Sequence, residues 1–155
     1  MSKSLKRVAR VLADAGLPDT ISEAGETRTA EQAAAACNCE IDQIVKSIIF
    51  VGEDSGDIRL FLTAGGNRIC ADKASRLAGE ALGRADAMLV RRTTGFAIGG
   101  VAPIAHVAPS PTWIDPRLMA FELVWAAAGT PRHVFSINPA QLVTLAAATA
   151  ADFTE

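Results

Sequence analysis

Histidine occurs only twice in the 155 residues and cysteine three times, and no uninterrupted apolar run reaches membrane-spanning length. A structural zinc site wants four ligands at C-x-x-C or H-x-x-x-H type spacing. Here Cys37 and Cys39 form a C-x-C pair, Cys70 stands alone, and His106 and His133 lie 27 residues apart. No metal and no other cofactor is expected. An odd number of cysteines suits a reducing compartment, so no disulfide is expected either. Two stretches lack Asp, Glu, Lys and Arg, residues 93–114 and 133–151. The first is broken by Gly95, Gly99, Gly100 and Pro103, the second by Asn138 and Pro139, so neither reads as a lipid-facing helix. Met-Ser-Lys-Ser-Leu-Lys-Arg runs straight into a charged helical pattern, which does not read as a signal peptide. A cytoplasmic protein without membrane contact is the expectation. Fifteen basic against seventeen acidic side chains argue against bulk coating of nucleic acid, and DNA is not an expected partner. Chemical signatures are missing too. No G-x-S-x-G, no P-loop and no G-x-G-x-x-G is present.

What is present is enough apolar material, half of all residues, for one domain spanning 1–155. Leu5, Val8, Ala9, Val11 and Leu12 have helical spacing, with Ser4 as N-cap and Gly16 and Pro18 as stop signals. Lys3, Lys6, Arg7 and Arg10 fall on the other side of that helix, as a solvated face or as contacts to phosphate. Thr29-Ala-Glu-Gln32 has the capping-box pattern and leads into an alanine-rich helix ending near Cys37 and Asn38. Ile41 to Val51 reads as a buried strand, Glu53 to Asp57 as an acidic hairpin loop, and Ile58 to Thr63 as the returning strand. A helix is expected over Lys73 to Leu82, closed by Gly83, and a short strand over Ala87 to Val90. Arg91 to Pro111 is irregular, Leu118 to Ala128 helical or mixed, Val134 to Ile137 a strand, and Pro139 to Ala148 a last helix. This irregular alternation predicts an α+β domain around a mixed sheet.

Two features could carry chemistry. Lys46 shares a strand face with Ile44, Ile48 and Phe50. An ammonium there must be paired, neutral, open to a cleft, or able to snorkel to water along its stem. The second feature is Thr93-Thr-Gly-Phe-Ala-Ile-Gly-Gly-Val-Ala-Pro103, whose glycines let backbone amides approach a ligand or simply turn the chain.

Gln43-Ile-Val-Lys-Ser-Ile-Ile-Phe50, followed by Thr94-Gly-Phe-Ala-Ile-Gly-Gly-Val-Ala-Pro103 and His106, resembles the YbaK and prolyl-tRNA-synthetase-associated family of editing domains. Thr29-Ala-Glu31, Ile114-Asp115 and Ala127-Ala-Gly-Thr-Pro131 extend the resemblance over nearly the whole chain. It implies a mixed, barrel-like β-sheet flanked by helices, and hydrolysis of the ester between a wrong, small amino acid and the 3′ end of tRNA. The implied partners are that aminoacyl-tRNA end and prolyl-tRNA synthetase or another synthetase, with the domain acting in trans. In this resemblance Lys46 and Gly99 take the catalytic positions. Ser47, Thr94, Gly95, Phe96, Gly100, Val101, Pro103 and His106 take the substrate-contacting ones. Ala102 stands where many relatives have proline, and Ile104-Ala105 where an aromatic-Gly pair is common.

No triad or metal-activated water can be assembled, so the chemistry left is electrostatic. Amides around Gly99 and Gly100 would face the carbonyl or its oxyanion, and Lys46 would supply a fixed cation. A catalytically silent adaptor binding tRNA ends or a synthetase is the alternative. Residues 67–92, with six basic against three acidic side chains, join residues 1–10 as candidate phosphate contacts.

Overall fold

Four of the five α-helices among the described residues begin where a short polar side chain takes up a free amide; the one preceded by Cys70 does not. In the computed structural model, which describes residues 2–155, α1 (Lys3–Asp14) is capped by Ser2, whose Oγ accepts from Leu5 N at 3.1 Å. The cap is thus two residues earlier than the expected Ser4. Its inner face buries Leu5, Val8 and Leu12. After β1 (Ser22–Glu23), α2 (Ala30–Cys37) starts at Thr29 as expected and stops at left-handed Asn38. β2 (Val45–Gly52) begins four residues later than the apolar run suggested. Glu40 and Gln43 cap each other reciprocally there, holding Ile41–Gln43 in a 3₁₀ turn. β3 (Ile58–Ala64) returns antiparallel through the acidic loop.

α3 (Ala71–Ala78) ends at Gly79, not Gly83, because Gly79 takes the left-handed conformation. The following residues then leave as β4 (Leu82–Arg84), pairing with the end of β2. The expected strand at Ala87–Val90 is instead the start of α4 (Ala87–Thr94). Asp86 caps it by accepting from Leu89 N at 2.8 Å, and its buried residues Val90 and Thr94 are four apart, the helical interval. β5 (Thr112–Ile114) precedes a 3₁₀ turn at Pro116–Ala120 and β6 (Val124–Ala127), which resolves the region expected to be helical or mixed. β7 (His133–Ile137), α5 (Pro139–Ala146) and β8 (Thr149–Ala150) complete the chain.

The strands form a five-stranded sheet ordered β4-β2-β3-β5-β8 and a three-stranded sheet ordered β1-β7-β6. The larger sheet is mixed: β3 pairs antiparallel with β2 and parallel with β5. One parallel bridge, Ile44 to Trp125, ties the two sheets together. They do not close into a barrel, because β4 pairs only with Phe50, Val51 and Gly52 of β2. Ser47 to Ile49 are left without a strand on their outer side. The main core, with Val8, Leu62, Ile114 and Phe135, lies between the sheets and α1. On the opposite face of the larger sheet, Phe61 is sealed by Trp113, stacked at 5.0 Å, and by Phe153.

Candidate active site

A cavity of about 590 Å³ opens along that unpaired edge of β2. Lys46 and Ser47 line it from the strand, and Gly99 and Val101 from the Gly-rich loop. Trp125, Thr130 and His133 face them from β6 and the turn into β7. Four residues of the expected site, separated by more than 50 positions, are therefore brought together.

Lys46 is half-buried and donates from Nζ to the Asn67 carbonyl at 2.6 Å. Burial pulls its pKa below the ordinary lysine value, and the Arg68 charge adds to this, while Glu31, Asp115 and Asp42 pull it back up. Asn67 is fixed in turn: its amide donates to Asp115 Oδ2 at 2.9 Å. Asp115 is only 3% exposed and also accepts from Ala64 N and Arg117 N. A buried carboxylate so fully bonded acts as a bracket. The lysine keeps donors to spare, since one carbonyl occupies a single N–H of three.

In the loop the two glycines do different work. Gly99 is exposed at φ +94, a conformation that disfavours side chains, and a Cβ there would meet only Pro131 Cγ at 3.9 Å. Gly100 is buried, and its Cβ would come within 2.8 Å of the Thr130 backbone. Its N–H also donates to Ala97 O at 3.0 Å. The expectation that both amides face a carbonyl is thereby narrowed to Gly99, whose N–H has no partner among the described residues.

Thr94, Gly95, Phe96, Pro103 and His106 do not line the cavity; Thr94, Phe96 and His106 brace the loop from behind. Thr94 Oγ1 donates to Val90 O at 2.7 Å and accepts from Phe96 N at 3.0 Å. The His106 ring lies edge-on to Phe96, and its Nε2 donates to Ala102 O at 2.6 Å. Burial pushes the His106 pKa down and Arg7 adds to this, against the Ala102 hydrogen bond, so the ring is held neutral.

Arg7 was expected on a solvated or phosphate-binding face, and it is neither. Its Nε donates to Ala105 O at 2.8 Å and its NH2 to Thr94 O at 3.1 Å. The guanidinium lies 4.5 Å from the Phe96 ring centroid. A side chain at Gly95 would collide with the Arg7 guanidinium, which explains that glycine. Sequence reasoning also passed over His133, weighed only as a metal ligand. Its Nδ1 and Thr130 Oγ1 lie 2.7 Å apart, and both residues line the cavity. The three-residue spacing in Thr130-Pro-Arg-His133 was the available signal.

No group of three or more His, Cys, Asp or Glu side chains suited to a metal occurs among the described residues. Cys37 is pushed up to about 11 by burial and by neighbouring Cys39, which keeps its thiol protonated. No described helix is long and apolar enough to cross a membrane.

Lys46 and the glycine loop thus meet in one cleft, lined by β2 of the larger sheet and by β6 and β7 of the smaller. The chain belongs to the aminoacyl-tRNA editing domain family, whose sequence model matches residues 24–145. It is 31% identical over 118 residues to the uncharacterized protein YwhH of Bacillus subtilis (strain 168), covering 74% of this chain and 72% of that one. It is also similar to a crystal structure described as a candidate trans-editing enzyme for prolyl-tRNA synthetase. That match has 44% identity and a TM-score of 0.91, over 100% of this chain and 99% of the other. A structure from work on grafting epitope backbones onto scaffold proteins by computational design superposes with a TM-score of 0.90. It is 41% identical over 100% of this chain and 99% of its own. The fold is thus the α+β editing fold that the lysine strand and glycine loop suggested.

Proposed function

We propose that residues 1–155 act as one trans-editing hydrolase, which removes small, wrongly attached amino acids from the 3′ end of tRNA in the cytoplasm. The observation that carries this reading is the meeting of Lys46 and Gly99 in one cavity beside an open strand edge. The acyl carbonyl would sit near the Gly99 N–H, and the Lys46 ammonium would stabilise the negative charge developing on the ester or hold the terminal phosphate. Such a preorganised field is worth more in a cavity than in water. Water adds to the carbonyl carbon, the C–O bond to the ribose breaks, and free amino acid and the ribose hydroxyl result. His133, oriented through Nδ1 by Thr130, is a proton acceptor for that water. The substrate's neighbouring ribose hydroxyl can position it.

No metal or cofactor takes part in this mechanism. The partners are the aminoacyl-tRNA end and prolyl-tRNA synthetase or another synthetase that produces the mischarged species. Arg28 and Arg84 line the cavity and suit the terminal phosphates. Release of labelled amino acid from tRNAs carrying alanine, serine, cysteine or 2-aminobutyrate tests the proposal. Binding of the tRNA end without release would instead make the protein an adaptor.

A further inference from the structure

Pairs in an antiparallel ladder alternate between those that exchange hydrogen bonds and those whose peptide groups point outward. In β3, Leu60 N donates outward to Pro111 O at 3.0 Å, and Leu62 O accepts from Asp115 N at 2.8 Å. Ala64 N likewise donates outward, to Asp115 Oδ2 at 3.1 Å. Their partners across the ladder are Ile49, Ser47 and Val45, whose peptide groups must therefore also point away from β3. The far end of β2 agrees, since Gly52 N donates inward to Asp57 O and Glu53 N outward to Ala81 O. On that outer side β4 takes up the strand from Phe50 onward, and the Ile44–Trp125 bridge closes the other end. Ile49 flanks the Phe50–Arg84 pair, so its outward carbonyl faces β4; Ser47 remains between the two ends, lining the cavity, with no strand to accept from or donate to it.

An α-aminoacyl group has the same N–Cα–C=O frame as a residue of a strand. We infer that the outward peptide group of Ser47 binds the aminoacyl moiety as an antiparallel partner residue. The Ser47 C=O accepts from the substrate's α-ammonium, and the Ser47 N–H donates to its acyl carbonyl. This rests on the editing reading above and adds to it a contact that every α-amino acid can make. Selection by size is then left to the cavity walls, and recognition of an amino acid, as opposed to any acyl group, falls to the strand edge.

The probe is 3′-(L-alanylamino)-3′-deoxyadenosine, a non-hydrolysable amide analogue, beside its propionyl counterpart, which lacks the α-amino group. Binding to the ¹⁵N-labelled protein should move the Ser47 amide resonance downfield, and the propionyl compound should bind at least tenfold more weakly. A second arm compares Ser47→Ala with the same protein carrying lactic acid at position 47, which replaces only the N–H by an ester oxygen. The ester protein should lose tenfold or more in affinity at a closely similar melting temperature. Equal binding of the two probes, or an ester protein as tight as Ser47→Ala, overturns the inference. Deacylation measured in parallel bears on the hydrolase reading alone: binding through Ser47 without turnover would remove that reading and leave the edge contact standing.

Discussion

Arg7→Ala removes a guanidinium that joins α1 to the loop carrying Gly99. Two hydrogen bonds to backbone carbonyls are lost, at 2.8 and 3.1 Å, together with the contact over Phe96. The losses are unequal. Thr94 O keeps Val107 N–H at 3.1 Å, whereas Ala105 O is left without a partner. Ala105 also sits at φ +65, where a residue with a side chain stays only if held. A hydrogen bond to a charged donor is worth about 1.5–3 kcal/mol. An exposed or half-buried cation–π contact adds ~0.5–1 kcal/mol. Taking one orphaned carbonyl and one weakened contact, the substitution should destabilise by about 2–4 kcal/mol. For a chain of this length that lowers the melting temperature by roughly 4–16 °C. Well below that melting temperature, kcat should still fall by roughly 10–10²-fold, because a small displacement of Gly99 misplaces its amide. KM should change less, since Lys46 and the walls that β2 and β6 supply are untouched. Arg7→Lys keeps the charge but not the fork, so it should recover part of the stability and little of the rate. Thermal melts and deacylation kinetics on the three proteins decide the matter. An Arg7→Ala protein with unchanged melting temperature and unchanged kcat would show that the clamp holds nothing.

Other substitutions separate the parts of the site. Gly100→Ala should destabilise more than Gly99→Ala, because its Cβ meets the Thr130 backbone at 2.8 Å while Gly99 has open space; melts of both variants check this. Gly99→Ala should carry about 1–2 kcal/mol of left-handed backbone strain and slow hydrolysis of every ester, the larger ones most. A loss of one common factor that tracks the melting temperature would refute a role for Gly99 in the cavity wall. His106 has its pKa lowered by folding, so the unfolded chain binds its proton first as pH falls. The stability it contributes should be complete above about pH 6.5 and decline below, and His106→Gln should flatten that part of a pH–stability curve measured by chemical denaturation. Exhaustive chelation should leave deacylation intact, and an apo-protein rescued only by added zinc would contradict the metal-free mechanism.

Local chemistry was legible where one side chain decides the outcome. Thr29 caps α2, Pro139 opens α5, and the acidic run from Glu53 to Asp57 turns the hairpin, all as their residue types imply. The misread elements turn on competing signals. Ala87 to Val90 is apolar enough for a strand, but the Asp86 cap and the 90/94 spacing make it a helix. Lys46 and the glycine loop are visible as patterns, but only the family resemblance joins them with Ser47 and Val101 in one site. Thr94, Phe96 and His106 look the same in sequence, yet their polar atoms are spent on the loop itself. Arg7 was illegible for a different reason. Its partner Ala105 lies 98 residues away, and a basic residue on a surface helix carries no mark of a distant carbonyl. The open edge of β2 belongs to topology as well, since it depends on how little of β4 pairs.

In the proposed function this cavity hydrolyses aminoacyl esters on tRNA through Lys46. The most direct measurement is the time course of amino-acid release from a panel of mischarged tRNAs, run with the wild-type protein and with folded Lys46→Ala. Release should run well above the spontaneous rate for at least one small amino acid and drop on the order of 10²–10³ without the lysine. Release unaltered in Lys46→Ala, or no release from any member of the panel, would contradict it.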